Sequence, residues 1–462
     1  MTTPIERVIT RFAPSPTGIM TIGNYRTALW AYLFAKKHHG EMLLRVEDTD
    51  RERSKEEYLD QIITDLAAMG IEYDSSKVLY QSKRNEIYAQ YFDQLCASGH
   101  AYRCYCSPEE LALERKVQLS QKVPPRYSGK CRHLSAEECA KIEKEKNIKP
   151  VLRFALSDQK IQFTDIVLGE KVFEGKDIGD FVIRKQDGDP TFFFCNAIDD
   201  ALSGVTHALR GDDHLTNTPR QLAILDALGL RRPHYGHLPL ILGSDHQPLS
   251  KRNGSLSIKE LLQSGFEVSA INNYCARLGH YCPDMNPSSL TELAQSFELT
   301  QISSSPAHFD RAQLMDWQRR IYQEHIQNNP HVALGRCVHH SLVSHPEKFI
   351  QLVWPHVALP ADLDNWITRL HDSGCVFTET CDWAAHGWTK DTLQIALSSV
   401  GQPWSQWRTA LESLGCKGKS LFWPTRYLIS GMHDGPKIEE LYNYVAPELL
   451  RHRIQGVING LA

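Results

Sequence analysis

The most constraining feature lies in the first seventy residues. A strand-like stretch, Arg7 to Phe12, runs into the breaker-rich segment Ala13-Pro14-Ser15-Pro16-Thr17-Gly18. Ala28, Leu29, Tyr32 and Leu33 then recur at helical spacing, and Met42 to Val46 reads as a second strand. Arg53 to Met69 returns to the helical period, with Tyr58, Ile62, Leu66 and Met69 on one face and Ser54 placed as N-cap. Strand, helix, strand, helix predicts an α/β domain whose parallel sheet is joined by crossover helices. Such sheets bind ligands beyond the C-terminal ends of their strands. A helix N-terminus at that place offers free N–H donors and a positive dipole end, which suits a phosphate. The segment Arg11 to Asn24 lies there, with Gly18 and Gly23 permitting close backbone approach. By spacing alone, a Pro/Gly-rich connection that binds nothing fits as well. The segment holds no Gly-x-Gly-x-x-Gly, and Gly418-Lys419-Ser420 lacks the upstream glycine of a P-loop because position 413 is Ser.

The rest of the chain is too long for this domain alone, since 462 residues exceed one simple core. With 42% apolar and 23% charged residues, the composition is that of a soluble globular protein and excludes wholesale disorder. A net charge of −4 excludes a polycation but leaves room for a local basic groove. No apolar run reaches the length of a membrane span, and Met1 to Met20 has no apolar core of a signal peptide. The expected location is cytoplasmic, so the twelve cysteines are expected as free thiols or metal ligands.

Near residue 100 the pattern changes. The lysine-rich Lys141 to Lys149 is followed by the strand-like Val151 to Phe154 and Asp180 to Arg184, so residues 103–190 read as an insertion between halves of the α/β domain at 1–102 and 191–254. A helical region at 255–330 follows. Eight of the nine tryptophans lie at or beyond Trp317, giving residues 331–462 an aromatic-rich core of their own. Within the insertion, Cys104-x-Cys106 is followed, after 24 intervening residues, by Cys131-x-His133. Three thiols and an imidazole make a complete tetrahedral set for a structural zinc, and the paired spacing favours this over scattered thiols.

Several motifs carry a resemblance. Arg11-Phe-Ala-Pro-Ser-Pro-Thr-Gly18 resembles the opening of bacterial glutamyl-tRNA synthetases, and Ala13 with Ser15 separates it from the glutaminyl enzymes. Thr21-Ile-Gly-Asn24 stands where their HIGH-type motif stands, and Leu249-Ser-Lys-Arg252 where their KMSKS-type loop stands. Leu43 to Asp50, Gly179 to Arg184, Asn196 to Arg220 and Lys417 to Pro424 are similar to further family blocks, in the same order. The resemblance implies a class I Rossmann-type catalytic domain with an inserted acceptor-stem subdomain, a stem-contact region and an α-helical anticodon-binding region. It also implies ATP-dependent attachment of glutamate to tRNA(Glu) through a glutamyl-adenylate.

Carried over position by position, Lys251, Thr21 and Asn24 are implied as catalytic. Pro14, Thr21, Gly23, Asn24, Lys251 and Arg252 are implied to hold ATP, with Mg²⁺ bound mainly through phosphates and water. Arg11, Ser15, Glu47, Phe192, Asn196 and Arg210 are implied to hold L-glutamate. Cys104, Cys106, Cys131 and His133 match the zinc-bearing members, and the family suggests a monomer. Around Trp404, Trp407, Arg408, Lys417, Lys419 and Arg426 the resemblance implies anticodon reading, although most tryptophans of a helical domain are core. Three departures stand out: Thr21 replaces the leading His of one motif, Pro248 the leading Lys of the other, and Phe192 a frequent Tyr. They admit slow catalysis, compensation by His246, or a specialised paralogue that binds tRNA or nucleotide with little ligase activity; a separate alternative is a ligase that charges tRNA-Gln as well as or instead of tRNA-Glu.

Overall fold

The computed structural model describes residues 7–249, 256–375, 377 and 381–460. Its parallel sheet begins as the sequence predicts: β1 (Ile9–Phe12), α1 (Ile22–Lys37), β2 (Glu41–Val46), α2 (Glu56–Ala68) and β3 (Leu79–Tyr80). β1 pairs in parallel with β2, Ile9 opposite Glu41, and β2 with β3. α1 is buried nearly all round, through Ile22, Tyr25, Leu29, Trp30 and Leu33. Its return to β2 is possible only because position 40 is glycine: a Cβ there would fall 1.9 Å from Val8 O. Ser54 does not cap α2. Lys55 occupies that place without a side-chain bond, because Ser54 N–H donates to Asp50 O at 2.9 Å and closes a preceding turn.

After α3 (Asn85–Ala97) the chain leaves the parallel sheet. β4 (Ala101–Cys104), α4 (Pro108–Ser120), α5 (Ala136–Lys146), β5 (Val151–Phe154), a hairpin of β6 (Lys160–Asp165) and β7 (Gly169–Glu174), α6 (Gly175–Ile178) and β8 (Phe181–Arg184) follow. β4, β5 and β8 form an antiparallel sheet. The hairpin was not visible as a strand pair in the sequence, since its alternating residues are mostly polar and half-exposed.

The parallel fold then resumes with α7 (Phe192–Leu202), β9 (His207–Gly211), α8 (Thr218–Ala227) and β10 (His234–Leu238). β10 pairs in parallel with β9. β9 lies beside β1, where Thr206 N–H donates to Ile9 O at 2.8 Å. The spatial order is thus β3-β2-β1-β9-β10, and the direction of winding reverses between β1 and β9. Connections leave such a switch point on opposite sides, which opens a crevice at the strand ends.

The chain divides into two compact units, Met1–Leu261 with Asn272–Asp310, and Leu262–Ile271 with Arg311–Ala462. The second unit is helical, from Arg311–Asn328 to Pro447–Gly460. Trp366, Trp388 and Trp407 are fully buried in its core. The indole N–H of Trp388 donates to Ser420 O at 2.6 Å and that of Trp407 to Ala396 O at 3.0 Å, so both polar tips are satisfied. Trp404 is buried too. Arg408 pairs with Glu412 and Arg426 donates to Pro436 O, while Lys417 and Lys419 are exposed. Among the described residues no helix is long and apolar enough to cross a membrane.

Candidate active site

The crevice at the switch point is a cleft of about 490 Å³. Pro14, Ser15, Thr21, Gly23 and Asn24 line it from the loop and the start of α1. Arg11, Glu47, Phe192, Asn196 and Arg210 line it from the strand ends and α7. The structure therefore gathers the expected glutamate set and the described part of the expected ATP set in one cavity. Lys251 and Arg252 lie outside the described residues. The chain just beyond them returns to the cleft: Thr21 and Ser257 form an antiparallel bridge, and Ile258 N–H donates to Met20 O at 3.0 Å.

Buried charge organises the floor. Arg11, at the end of β1, donates from Nε to Asp200 Oδ1 at 3.1 Å and from Nη1 to Leu209 O at 2.8 Å. Arg45 also reaches Asp200 Oδ1, and its Nη2 bonds Glu47 Oε1 at 3.1 Å and Asn196 Oδ1 at 2.7 Å. Burial opposes the ionisation of Asp200, but the guanidiniums of Arg11 and Arg45 outweigh it and hold the carboxyl below its usual range. For Glu47 the balance is reversed. Burial raises its pKa more than Arg45 lowers it.

Arg210, in β9, has a different setting. Its Nε donates to His237 Nε2 at 3.2 Å, and its Nη2 to Thr218 Oγ1 at 2.8 Å and Gln221 Oε1 at 2.6 Å. Its guanidinium lies 4.9 Å from the centre of the Tyr235 ring. Burial lowers its pKa to about 10. Among the described residues no carboxylate pairs with it, so a buried cation faces the cleft with only neutral partners. A carboxylate ligand is the group that would complete it.

Thr21 caps α1. Its hydroxyl lies 2.8 Å from Asn24 Oδ1 and accepts from Asn24 N–H at 3.4 Å, forming a capping box. The residue that replaces the family histidine is thus tied to the helix start it caps. Phe192 opens α7 and stacks on His214, ring centres 5.0 Å apart. His246 is exposed at a turn, against His308, and does not line the cleft.

In the inserted segment, the thiols of Cys104, Cys106 and Cys131 lie within 4.8 Å of one another. His133 is exposed and lies outside this group of three. Tyr127 turns its hydroxyl into the cluster, 3.5 Å from Cys104 Sγ and 3.4 Å from Cys106 Sγ, and accepts from Cys131 N–H at 2.9 Å. Arg153 stacks over the Tyr127 ring at 3.9 Å and fixes it from the other side. Cys106 and Cys131 Sγ are 3.7 Å apart. That is far from a disulfide and close to the spacing of about 3.8 Å that follows from tetrahedral Zn–S bonds of about 2.3 Å.

Several residues of the floor escaped sequence reasoning: Arg45, Asp165, Asp199, Asp200 and His237. Asp199 and Asp200 had a signal, two adjacent acids inside Phe192–Leu202, where Asn196 is the one other polar residue. Asp199 is fully buried and accepts from Arg84, Gln81 and Tyr88.

The comparisons agree with this geometry. The family described as "tRNA synthetases class I (E and Q), catalytic domain" matches residues 7–316. A glutamate–tRNA ligase of Coxiella burnetii is 41% identical over 96% of this chain and 98% of its own length. One of Acidithiobacillus ferrooxidans is 41% identical over 96% and 95%. Among solved structures, a glutamate tRNA ligase from Elizabethkingia meningosepticum in complex with its amino acid is similar, with a TM-score of 0.83, 26% identity and coverage of 99% of this chain and 100% of that one. The chain belongs to the class I tRNA synthetases of the E and Q type.

Proposed function

We infer that this chain is a glutamate–tRNA ligase that attaches glutamate to tRNA in two ATP-dependent steps. The observation that carries the reading is the charge layout of the cleft: buried Arg11 and Arg210 with Glu47 beside them, Arg210 having no carboxylate partner among the described residues. Glutamate carries two carboxylates and one ammonium, which is the complement of that layout. Relatives named glutamate–tRNA ligase along nearly the whole chain support it.

In the first step a carboxylate oxygen of glutamate attacks the α-phosphorus of ATP, a P–O bond to pyrophosphate breaks, and glutamyl-adenylate forms. In the second, a terminal ribose hydroxyl of tRNA attacks the activated carbonyl, and AMP leaves. Both steps depend on positioning and charge neutralisation more than on a protein base. Arg11, Ser15, Glu47, Phe192, Asn196 and Arg210 orient the amino acid. Pro14, Thr21, Gly23 and Asn24, at the start of α1, receive the nucleotide. Lys251 and Arg252 supply cations to its phosphates, a role supported by their motif and by the return of the chain at Ser257 to Thr21. Mg²⁺ accompanies ATP and neutralises phosphate charge. Cys104, Cys106 and Cys131, with the Tyr127 hydroxyl directed at the same place, would hold a zinc ion that would pin the inserted segment, which approaches the acceptor end. The second unit reads the anticodon, and the acceptor is tRNA(Glu).

ATP–pyrophosphate exchange in the presence of tRNA tests the first step. Exchange that requires glutamate supports the reading. Absence of exchange with every amino acid supports a binding paralogue instead.

A further inference from the structure

Asp165 ends β6 in the inserted segment, yet its carboxylate works inside the parallel sheet. The turn after it docks on β10, where Ile166 N–H donates to Tyr235 O at 2.9 Å. Asp165 and His237 are both fully buried. Asp165 Oδ1 accepts from the N–H groups of Val167 and Leu168 at 3.0 and 2.8 Å. Its Oδ2 lies 2.5 Å from His237 Nδ1, and the backbone N–H of His237 is 3.2 Å from both oxygens. A carboxylate there accepts a hydrogen bond from Nδ1–H and so assigns the tautomer. Nε2 is then a lone pair. It accepts from Arg210 Nε at 3.2 Å and stands 3.0 Å from the Thr218 hydroxyl.

This arrangement solves a specific problem. Arg210 must be oriented toward a carboxylate ligand, and among the described residues no carboxylate holds it directly, unlike Arg11, which Asp200 holds. His237 holds the Nε edge with a neutral acceptor, and the acid that fixes His237 is kept one residue away. We propose that Asp165 and His237 are a positioning pair that aims Arg210 at a carboxylate of glutamate, so that the inserted segment contributes to the amino-acid site. The proposal rests on the reading of Arg210 as a glutamate-binding residue.

An amide in place of Asp165 can present N–H to Nδ1. The ring then adopts the other tautomer, and its Nε2–H opposes Arg210 Nε–H, donor against donor. The test uses the full chain with tRNA and ATP–pyrophosphate exchange, measuring KM for glutamate and for ATP separately, with a thermal melt of each variant. Asp165→Asn and His237→Phe are expected to raise the glutamate KM by about tenfold or more, the effect of losing one hydrogen bond to a charged group. The ATP KM is expected to stay within about twofold. His237→Gln keeps an acceptor oxygen for Arg210 and is expected to recover part of the loss, and its contrast with His237→Phe carries the test if Asp165→Asn does not fold. Arg210→Lys is the control for the underlying reading. If it raises the glutamate KM while Asp165→Asn and His237→Phe do not, the positioning pair is refuted and the site stands. If Arg210→Lys leaves the glutamate KM unchanged, the site reading fails and the pair with it. A parallel rise of both KM values with a lowered melt, unrelieved in His237→Gln, overturns the proposal in favour of a general structural role.

Discussion

Arg11 Nε lies 3.1 Å from Asp200 Oδ1, and the same oxygen also accepts from Arg45. One buried carboxylate on α7 thereby fixes two buried cations at the ends of neighbouring strands. Asp200→Asn leaves Arg11 without its counter-charge and Arg45 with Glu47 alone. The expected cost is about 3–5 kcal/mol of stability, as for removal of one partner of a buried ion pair, together with weakened glutamate binding. The pH dependence has a definite sign. The folded pKa of Asp200 lies below the unfolded value, so its contribution is present above about pH 4 and is lost as pH falls through the folded pKa. Urea unfolding from pH 7 down to pH 3 is expected to show a shallower acid loss in the variant than in the parent. An unchanged slope would show that Asp200 does not carry this charge.

Glu47 faces the cleft with a pKa raised by burial against the pull of Arg45. Glu47→Gln keeps the shape and removes the charge that would meet the substrate ammonium. The glutamate KM is expected to rise roughly tenfold, consistent with a lost charge-assisted hydrogen bond. In the parent that KM is expected to rise as pH falls toward the raised Glu47 pKa, because protonation removes the charge. The variant should be flat over the same interval. Steady-state exchange across the acidic range checks both statements.

Thr21→His restores the ring that the family motif carries and is expected to increase the rate of pyrophosphate exchange. It also deletes the cap of α1, where Thr21 accepts from Asn24 N–H at 3.4 Å, at a cost of about 1 kcal/mol. The two effects separate in one variant, pre-steady-state exchange reporting the first and urea denaturation the second. A rate equal to or below the parent's would show that Thr21 does not limit adenylation.

Cys106→Ser removes a thiol from the cluster in which Cys106 and Cys131 Sγ are 3.7 Å apart. Protein purified without chelator is expected to contain one zinc per chain, and the variant much less than one. Tyr127→Phe is expected to weaken retention against a chelator, while His133→Ala is expected to leave it unchanged. Metal analysis decides this, and full zinc in Cys106→Ser would refute the site.

The parallel start of the fold was legible because its helices and strands repeat with different periods and are separated by Pro and Gly. The cleft was legible because the loop from Arg11 to Asn24 had to lie at the strand ends. What the sequence could not show was pairing across long separations. Arg11 meets Asp200 from 189 positions away, and Asp165 meets His237 from 72. Neither partner belongs to a local pattern, so only the topology brings them together. The thiol cluster has a neighbour that spacing does not show. The Cys-x-His spacing of Cys131 and His133 looked local and complete, but the backbone placed the imidazole outside the cluster and the Tyr127 hydroxyl inside it. Lys251 and Arg252 remain known by motif alone.

The central claim is that this cleft activates glutamate for transfer to tRNA. Aminoacylation of purified tRNA(Glu) and tRNA(Gln) with labelled glutamate and ATP tests it most directly. The account predicts labelled tRNA(Glu), dependent on ATP and lost in Arg210→Ala. No label on either tRNA would contradict it, and label on tRNA(Gln) alone would overturn the assigned acceptor.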